Sequence, residues 1–253
     1  MALALTGCRG ERAQDVLHVY AASSLTEAFT ALRARFEAEH PRVEVRLTFA
    51  GSQVLRLQIE QGAGADVFAS ANPWHIEALA AAGRVEPGRA FAENGLAVIV
   101  PPDNPAGLQA FSDLPKARRL VIGTAQVPVG AYTRQAFLRG DAVYGPGFSD
   151  AVLARVVSEE TNVRLVRAKV ELGEADAAVA YRTDASEPSH PSPPGSARFR
   201  TLLVPEAVDV RAEYRAAVVV GSPRRALAQA WVAFLVSPEA QAELTRLGFL
   251  EVR

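Results

Sequence analysis

Residues 19–27 read VYAASSLTE, and residues 47–53 read LTFAGSQ. In both segments an apolar, strand-forming run stops at a small polar residue, and a pattern with helical spacing follows. A serine at such a junction can cap the helix, whose first turn has free backbone N–H groups and a partial positive charge. Two helix starts directed at one point would hold an anion without any Lys or Arg. Ser24 and Ser52 are therefore the first candidate binding residues.

Strand and helix patterns alternate along the rest of the chain. Asn72 followed by Pro73 predicts one helix start and Asn162 predicts another, while Gly83 and Gly173 follow the ends of these two helices. The alternation predicts an α/β fold with mainly parallel sheets flanked by helices, and 253 residues are enough for two lobes. The predicted strands are Val16–Ala21, Val43–Phe49, Asp66–Ser70, Leu96–Val100, Leu120–Gly123, Ala177–Tyr181, Thr201–Val204 and Ala216–Val220.

Composition argues against several classes of partner. The chain is 49% hydrophobic and 22% charged, with a formal net charge of −1. Because no Lys/Arg run stands out, we expect neither nucleic acid nor an anionic membrane surface as a partner. No apolar stretch reaches the roughly 18–20 residues that a membrane-spanning helix needs. The Pro-rich residues 186–196 predict a surface loop.

The single cysteine, Cys8, lies in a segment that resembles the lipobox of bacterial lipoproteins. Residues 5–8 read LTGC, and a polar stretch separates them from the first predicted strand. The basic region of a signal peptide is missing before them. Residues 1–15 are interpreted as the remnant of a signal or lipobox and a linker, with Cys8 as a candidate lipid anchor. The alternative is a free thiol on a frayed terminus.

The sequence offers little support for catalysis or for a metal site. The four histidines are scattered, with no spacing typical of metal ligands. There is no G-x-S-x-G motif, and no His or Lys base neighbours Ser24 or Ser52. Walker and dinucleotide-binding glycine patterns are also missing. We expect no enzyme activity, no cofactor and no directly bound metal cation.

Two further helix starts and a strand end complete the set of candidate positions. Residues 127–132 (VPVGAY) and 161–164 (TNVR) each begin a helix pattern, and Tyr181 ends a strand. Each helix start taken alone is explained by capping, which is worth about 1 kcal/mol of stability. Four of them, divided between the two halves of the chain, favour a ligand between two lobes. Ser24 and Glu27 match a capping box, and we expect the Glu27 carboxylate to face away from an anion.

At these positions the chain resembles the periplasmic molybdate-binding proteins of ABC transporters, which are part of the two-lobed solute-binding family. The resemblance runs from about Val16 to the C-terminus. The segments that carry it are Ala21–Leu25, Phe49–Ser52, Gly64–Ser70, Val127–Tyr132, Asn162–Arg164, Val179–Asp184, Ser237–Gln241 and Gly248–Phe249.

The resemblance implies which residues bind the oxyanion. The family uses two serine hydroxyls, backbone amides at helix starts and one tyrosine hydroxyl. Carried over by motif, these are the hydroxyls and amides of Ser24 and Ser52, the amides of Val129 and Val163, and the hydroxyl of Tyr181. The chain departs from the family in two places, with Val129 where Ala is frequent and Gly51 where Ser is frequent.

The same resemblance implies a periplasmic-binding-protein fold with two hinge crossovers, near residues 96–100 and 213–218. Lobe one is expected to comprise residues 16–96 plus 207–253, and lobe two residues 97–206. The implied function is capture of molybdate or tungstate outside the cytoplasm by a monomer that delivers the ion to a membrane permease. The alternatives are a sulfate or phosphate binder of the same fold, the sensing domain of a regulator, and a hydrolase.

Overall fold

The computed structural model describes residues 15–185 and 198–252. Cys8, the linker before residue 15 and the whole predicted loop at 186–196 lie outside these ranges. The strands in the described part of the chain are β1 Asp15–Ala22, β2 Val43–Ala50, β3 Val67–Ser70, β4 Arg89–Asn94, β5 Leu96–Val100, β6 Leu120–Gly123, β7 Val156–Glu160, β8 Ala177–Tyr181, β9 Arg200–Leu203 and β10 Ala212–Val218. The α-helices there are α1 Thr26–Glu39, α2 Ser52–Glu60, α3 Pro73–Ala81, α4 Pro128–Tyr144, α5 Phe148–Leu153, α6 Val163–Glu171, α7 Arg225–Phe234 and α8 Pro238–Arg246.

The strands form two five-stranded sheets of the same design. The first sheet has the order β2-β1-β3-β10-β4, and the second has the order β7-β6-β8-β5-β9. In each, three neighbouring strands are parallel and the remaining two pairings are antiparallel. The predicted α/β fold is confirmed, but the sheets are mixed rather than mainly parallel. The antiparallel strands arise because the chain returns from one sheet to the other instead of continuing the parallel series.

The chain crosses between the sheets twice. It leaves the first sheet at Gly95, between β4 and β5, and returns between β9 and β10. The predicted division of the chain into two lobes and the predicted hinges stay a prediction. No helix among residues 15–185 and 198–252 is long and apolar enough to cross a membrane.

Two strands, β4 and β7, were not predicted from the sequence. Both are edge strands, and both carry polar residues: residues 89–94 read RAFAEN, and residues 156–160 read VVSEE. Charged residues on edge strands discourage pairing with other chains, and they also weaken the strand pattern in the sequence. Their partners β10 and β6 hold them in place through long-range pairing.

Aromatic side chains fill the core of the first sheet's helical layer. Trp231 of α7 lies edge-on to Phe29 and Phe36 of α1, with ring centroids 5.7 and 5.1 Å away. All three side chains are fully buried. Such pairs contribute about 0.5–1.5 kcal/mol each beyond the area that they bury. This packing fixes α1, and with it the turn that precedes the helix.

The start of α4 packs directly on the backbone that follows β6. A Cβ atom at Gly130 would overlap the carbonyl oxygens of Gly123 and Thr124. Main-chain atoms at the end of a buried strand move little, so only glycine allows this approach. The close contact determines where the first turn of α4 lies.

We predict that Gly130→Ala lowers the free energy of unfolding by about 1–3 kcal/mol, the usual cost of overpacking. Alanine gains up to about 1 kcal/mol of helix propensity over glycine, which the overlap with main-chain atoms outweighs. Urea unfolding measures the change. Gly64→Ala is the matched control, because nothing lies within 4 Å of its Cβ position, and it should change stability by less than about 0.5 kcal/mol. Equal effects in the two variants would contradict the packing argument.

Candidate functional site

The five residues predicted to bind an oxyanion line one small cavity between the two sheets. Ser24, Ser52, Val129, Val163 and Tyr181 all border it. The remaining lining residues are Ala22, Ser23, Gly51, Ala71, Val127, Pro128 and Asn162. Positions that are up to 157 residues apart in sequence, Ser24 and Tyr181, thus meet at one place.

The parallel strands explain why these residues meet. Ser24 follows β1 and Ser52 follows β2 in the first sheet, while Val163 follows β7 and Tyr181 ends β8 in the second. A four-residue connection joins β6 to α4, and Val129 is the second residue of α4. Ligands of open α/β sheets bind beyond the carboxyl ends of the parallel strands. Both sheets direct these ends toward the same cavity.

The two serines do not cap their helices, contrary to the sequence prediction. Residues 23–25 form a short 3₁₀ helix, so α1 begins later, at Thr26, with Leu25 as its N-cap and no side-chain cap. The capping box of Ser24 and Glu27 is therefore wrong. Ser52 is the first residue of α2 and also makes no capping hydrogen bond.

The serine oxygens instead accept hydrogen bonds from the protein. The Tyr214 hydroxyl donates to Ser24 Oγ at 3.0 Å, and the Ala71 amide donates to Ser52 Oγ at 3.2 Å. A hydroxyl that already accepts one hydrogen bond still has its own proton to donate. Both serine protons are therefore available to an acceptor in the cavity.

Tyr181 supplies a buried donor that no protein group uses. Its side chain is 1% exposed, and its hydroxyl has no hydrogen-bond partner among the described residues. Burial raises the pKa of Tyr181, so the hydroxyl stays protonated at neutral pH. Burying a hydroxyl without a hydrogen-bond partner lowers the stability of the folded state. An acceptor bound in the cavity would remove that cost.

Backbone amides add donors from the second sheet. Val129 is the second residue of α4 and Val163 is the first residue of α6. N–H groups in the first turn of a helix have no intrahelical acceptor, and the helix dipole adds a partial positive charge there. The predicted caps Asn72 and Asn162 are confirmed: each side chain accepts from the amide three residues later, at 3.3 and 3.1 Å.

The lining of the cavity carries no formal charge. None of its described residues is Asp, Glu, His, Lys or Arg. Within residues 15–185 and 198–252, no group of three or more His, Cys, Asp or Glu could hold a metal ion. Neutral donors therefore dominate the site, and its chemistry suits an anion rich in acceptor oxygens.

Glu27 is not among the residues that line the cavity, and it pairs with Arg164 near the start of α6, on the side of the second sheet. The Arg164 guanidinium forms a salt bridge with the Glu27 carboxylate, and its Nε also donates to the Ser23 carbonyl at 3.3 Å. The arginine compensates the charge of Glu27, which lies one turn after Ser24 in the chain. The expectation that Glu27 faces away from the cavity is confirmed by this contact.

From the sequence, Gly51 is only a departure from the serine that is frequent at this position in the family. The structure gives Gly51 a steric role. A Cβ atom there would overlap the Thr161 carbonyl oxygen, to which the Gln53 amide also donates at 2.7 Å. Gly51 thus lets the two sides of the cavity approach closely. Sequence reasoning missed this contact because Gly51 and Thr161 are 110 positions apart.

A buried carboxyl group lies a few residues beyond Tyr181. The Asp184 side chain is 5% exposed, and its Oδ2 has no hydrogen-bond partner in the described part of the chain. Burial raises the pKa of Asp184 to about 7, an effect that Arg164 and Arg167 oppose and the Glu27 charge reinforces. Asp184 therefore carries little negative charge below neutral pH.

This raised pKa predicts a pH-dependent stability. Below pH 3.8, the ordinary pKa of the group, the carboxyl is protonated in the folded and unfolded states. As pH rises toward about 7, only the unfolded state ionises, so stability is lost over this window. We expect Asp184→Asn to gain stability relative to the unsubstituted protein between pH 4.5 and 7.5, on the order of 3 kcal/mol.

Urea unfolding at both pH values tests this expectation. The exposed Asp103 provides a matched control, and Asp103→Asn should show no such relative gain. A stability difference for Asp184→Asn that stays constant with pH would contradict the prediction.

Comparison with known proteins places this site in a family. Residues 17–250 match the bacterial extracellular solute-binding protein family. The molybdate-binding protein ModA of Mycobacterium tuberculosis is 34% identical over 234 residues, which cover 91% of this chain and 83% of that protein.

Two solved structures share the fold. The periplasmic molybdate-binding protein of Azotobacter vinelandii aligns with a TM-score of 0.75 at 20% identity, over 94% of this chain and 100% of that one. The sulfate-binding protein SubI of Mycobacterium tuberculosis aligns with a TM-score of 0.81 at 17% identity, over 94% and 87% of the two chains. Both neighbours are two-lobed binding proteins, which confirms the predicted fold class. The family match spans nearly the whole chain, and the chain belongs to the bacterial extracellular solute-binding proteins.

Proposed function

We propose that this protein captures molybdate or tungstate in the cavity between its lobes and delivers the ion to an ABC transporter permease. The observation that carries the proposal is the set of unused donors from Ser24, Ser52 and Tyr181, which meet in an uncharged, buried cavity. The 34% identical ModA relative is a molybdate-binding protein, which supports this choice of ligand.

The energetics favour a tetrahedral dianion. Its four oxygens accept several hydrogen bonds, and the proposed donors are three hydroxyls together with the amides of Ser24, Ser52, Val129 and Val163. Hydrogen bonds to a charged group contribute about 1.5–3 kcal/mol each. Seven such hydrogen bonds exceed most of the range of the association cost, which is about 4–15 kcal/mol. Tight binding therefore needs no Lys or Arg in the cavity.

Phosphate is the weaker alternative on the same evidence. A phosphate that keeps one proton at neutral pH needs an acceptor in the site, and a carboxylate would supply it. No Asp or Glu is among the described lining residues, and Glu27 is engaged by Arg164. Sulfate has no such proton, and the structural likeness to SubI keeps it as the second candidate. Cavity size would separate sulfate from the larger molybdate.

Closure of two lobes is the proposed mechanism of capture. Lobe one would comprise residues 16–96 plus 207–253 and lobe two residues 97–206, with hinges near 96–100 and 213–218. The contact of Gln53 with Thr161 and the salt bridge of Glu27 with Arg164 connect the two sides beside the cavity. Hinge closure around a ligand would form such contacts and exclude water.

The proposed setting is extracytoplasmic, with the protein acting as a monomer and without catalysing a reaction. Cys8 is the proposed lipid anchor. Mass spectrometry of the protein extracted from membranes should find diacylglycerol on Cys8, and an unmodified thiol would refute the anchor without affecting the binding proposal.

Ligand-induced thermal stabilisation tests the ligand class directly. We expect molybdate and tungstate to raise the unfolding temperature, since a ligand at 100 times its Kd adds about 2.7 kcal/mol. Sulfate and phosphate at equal concentration should have much smaller effects. A response to sulfate alone would favour the second candidate, and no response to any of the four would refute oxyanion binding.

Ser52→Ala should weaken molybdate binding by about ten- to a hundredfold, the range that 1.5–3 kcal/mol implies. The variant loses a donor to the ion and leaves the Ala71 amide without its acceptor. It should still fold, because an unsatisfied amide costs only about 1–3 kcal/mol. Calorimetric titration measures the affinity, with Ser112→Ala as the control at an exposed serine. Unchanged affinity in Ser52→Ala would remove that residue from the site.

A further inference from the structure

We propose that Tyr214 is a positioning residue that directs the Ser24 hydroxyl proton into the cavity. The inference rests on the proposed function, which it extends by one residue. Tyr214 lies on β10 and is not among the lining residues. Its hydroxyl donates to Ser24 Oγ at 3.0 Å, 190 positions away in sequence. Tyr214 therefore acts on the ligand through Ser24.

The hydrogen bond that the Tyr214 hydroxyl donates is the one to Ser24 Oγ, at 3.0 Å. Tyr214 is fully buried. Burial raises the pKa of Tyr214, which keeps the hydroxyl protonated. The Asn94 side chain lies beside its hydroxyl and opposes the rise in the pKa of Tyr214, as a neighbouring amide donor does.

The hydrogen bond from Tyr214 affects the orientation of the Ser24 hydroxyl proton. Because its oxygen already accepts from Tyr214, the serine hydroxyl gains most by giving its own proton to another acceptor. Ser24 borders the proposed binding cavity, where such an acceptor would lie. A hydroxyl that is oriented before binding does not have to be ordered by the ligand.

The surroundings of Tyr214 also include the crossover between the sheets. Asn94, beside the Tyr214 hydroxyl, directly precedes Gly95. The Asn94 amide donates to Thr183 Oγ1, which follows β8 of the second sheet, at 2.8 Å. This contact holds the Asn94 side chain in place next to Tyr214.

The packing of the Tyr214 ring allows a substitution that removes the hydroxyl alone. The Tyr214 ring contacts Phe91, Tyr181 and Phe249, with centroids 6.2, 5.9 and 5.4 Å away. Phenylalanine keeps these contacts and removes only the hydroxyl. Tyr214→Phe should therefore fold, and its far-UV circular dichroism and unfolding temperature verify that it does.

A double-mutant cycle measured by calorimetric titration with sodium molybdate tests the proposal. Tyr214→Phe should weaken binding about tenfold. In a Ser24→Ala background the same substitution should cause no further loss, because the group that it orients is gone. Tyr144→Phe, which removes a hydroxyl on α4, is the control and should leave affinity unchanged.

The possible results separate the two proposals. If the unsubstituted protein binds molybdate but Tyr214→Phe has no effect, or if its loss adds fully to that of Ser24→Ala, the positioning role is overturned. A general effect of Tyr214 on the fold would give such additive losses. If the unsubstituted protein does not bind molybdate, the proposed function fails and the inference fails with it.

Discussion

For the proposed dianion, the cost of removing the ion from water is the constraint that the cavity has to meet. A cavity lined with arginine or lysine would meet that cost and would also accept many carboxylates. Here the lining is uncharged, and the donors are hydroxyls and helix-start amides. Such donors stabilise an anion only when they are already oriented. The contacts behind Ser24 and Ser52 therefore matter as much as the serines themselves.

The repeated sheet design supplies this orientation. Each sheet has three neighbouring parallel strands whose carboxyl ends reach the cavity. Each adds one antiparallel strand, β10 or β5, and an outer strand, β4 or β9, that pairs with it. Strand β10 also places the Tyr214 hydroxyl within hydrogen-bond distance of Ser24. The same topology that divides the chain into two sheets thus provides both the donors and their support.

The sequence was most informative where the signal is local. Asn72 and Asn162 cap helices as predicted. The five candidate residues, which line one cavity, could be recognised because strand ends and helix starts have short-range sequence patterns. Long-range features were not predictable. Edge strands β4 and β7 have weak patterns, and the contact of Tyr214 with Ser24 has no local sequence signal. The capping box was wrong because a 3₁₀ turn intervenes.

A crystal structure of the protein grown with molybdate, with data collected near the molybdenum absorption edge, tests the central claim most directly. The account predicts one strong anomalous peak in the cavity, with ligand oxygens about 2.5–3.0 Å from the hydroxyls of Ser24, Ser52 and Tyr181. A peak outside the cavity, or a cavity that holds only water or sulfate in the presence of excess molybdate, would contradict it.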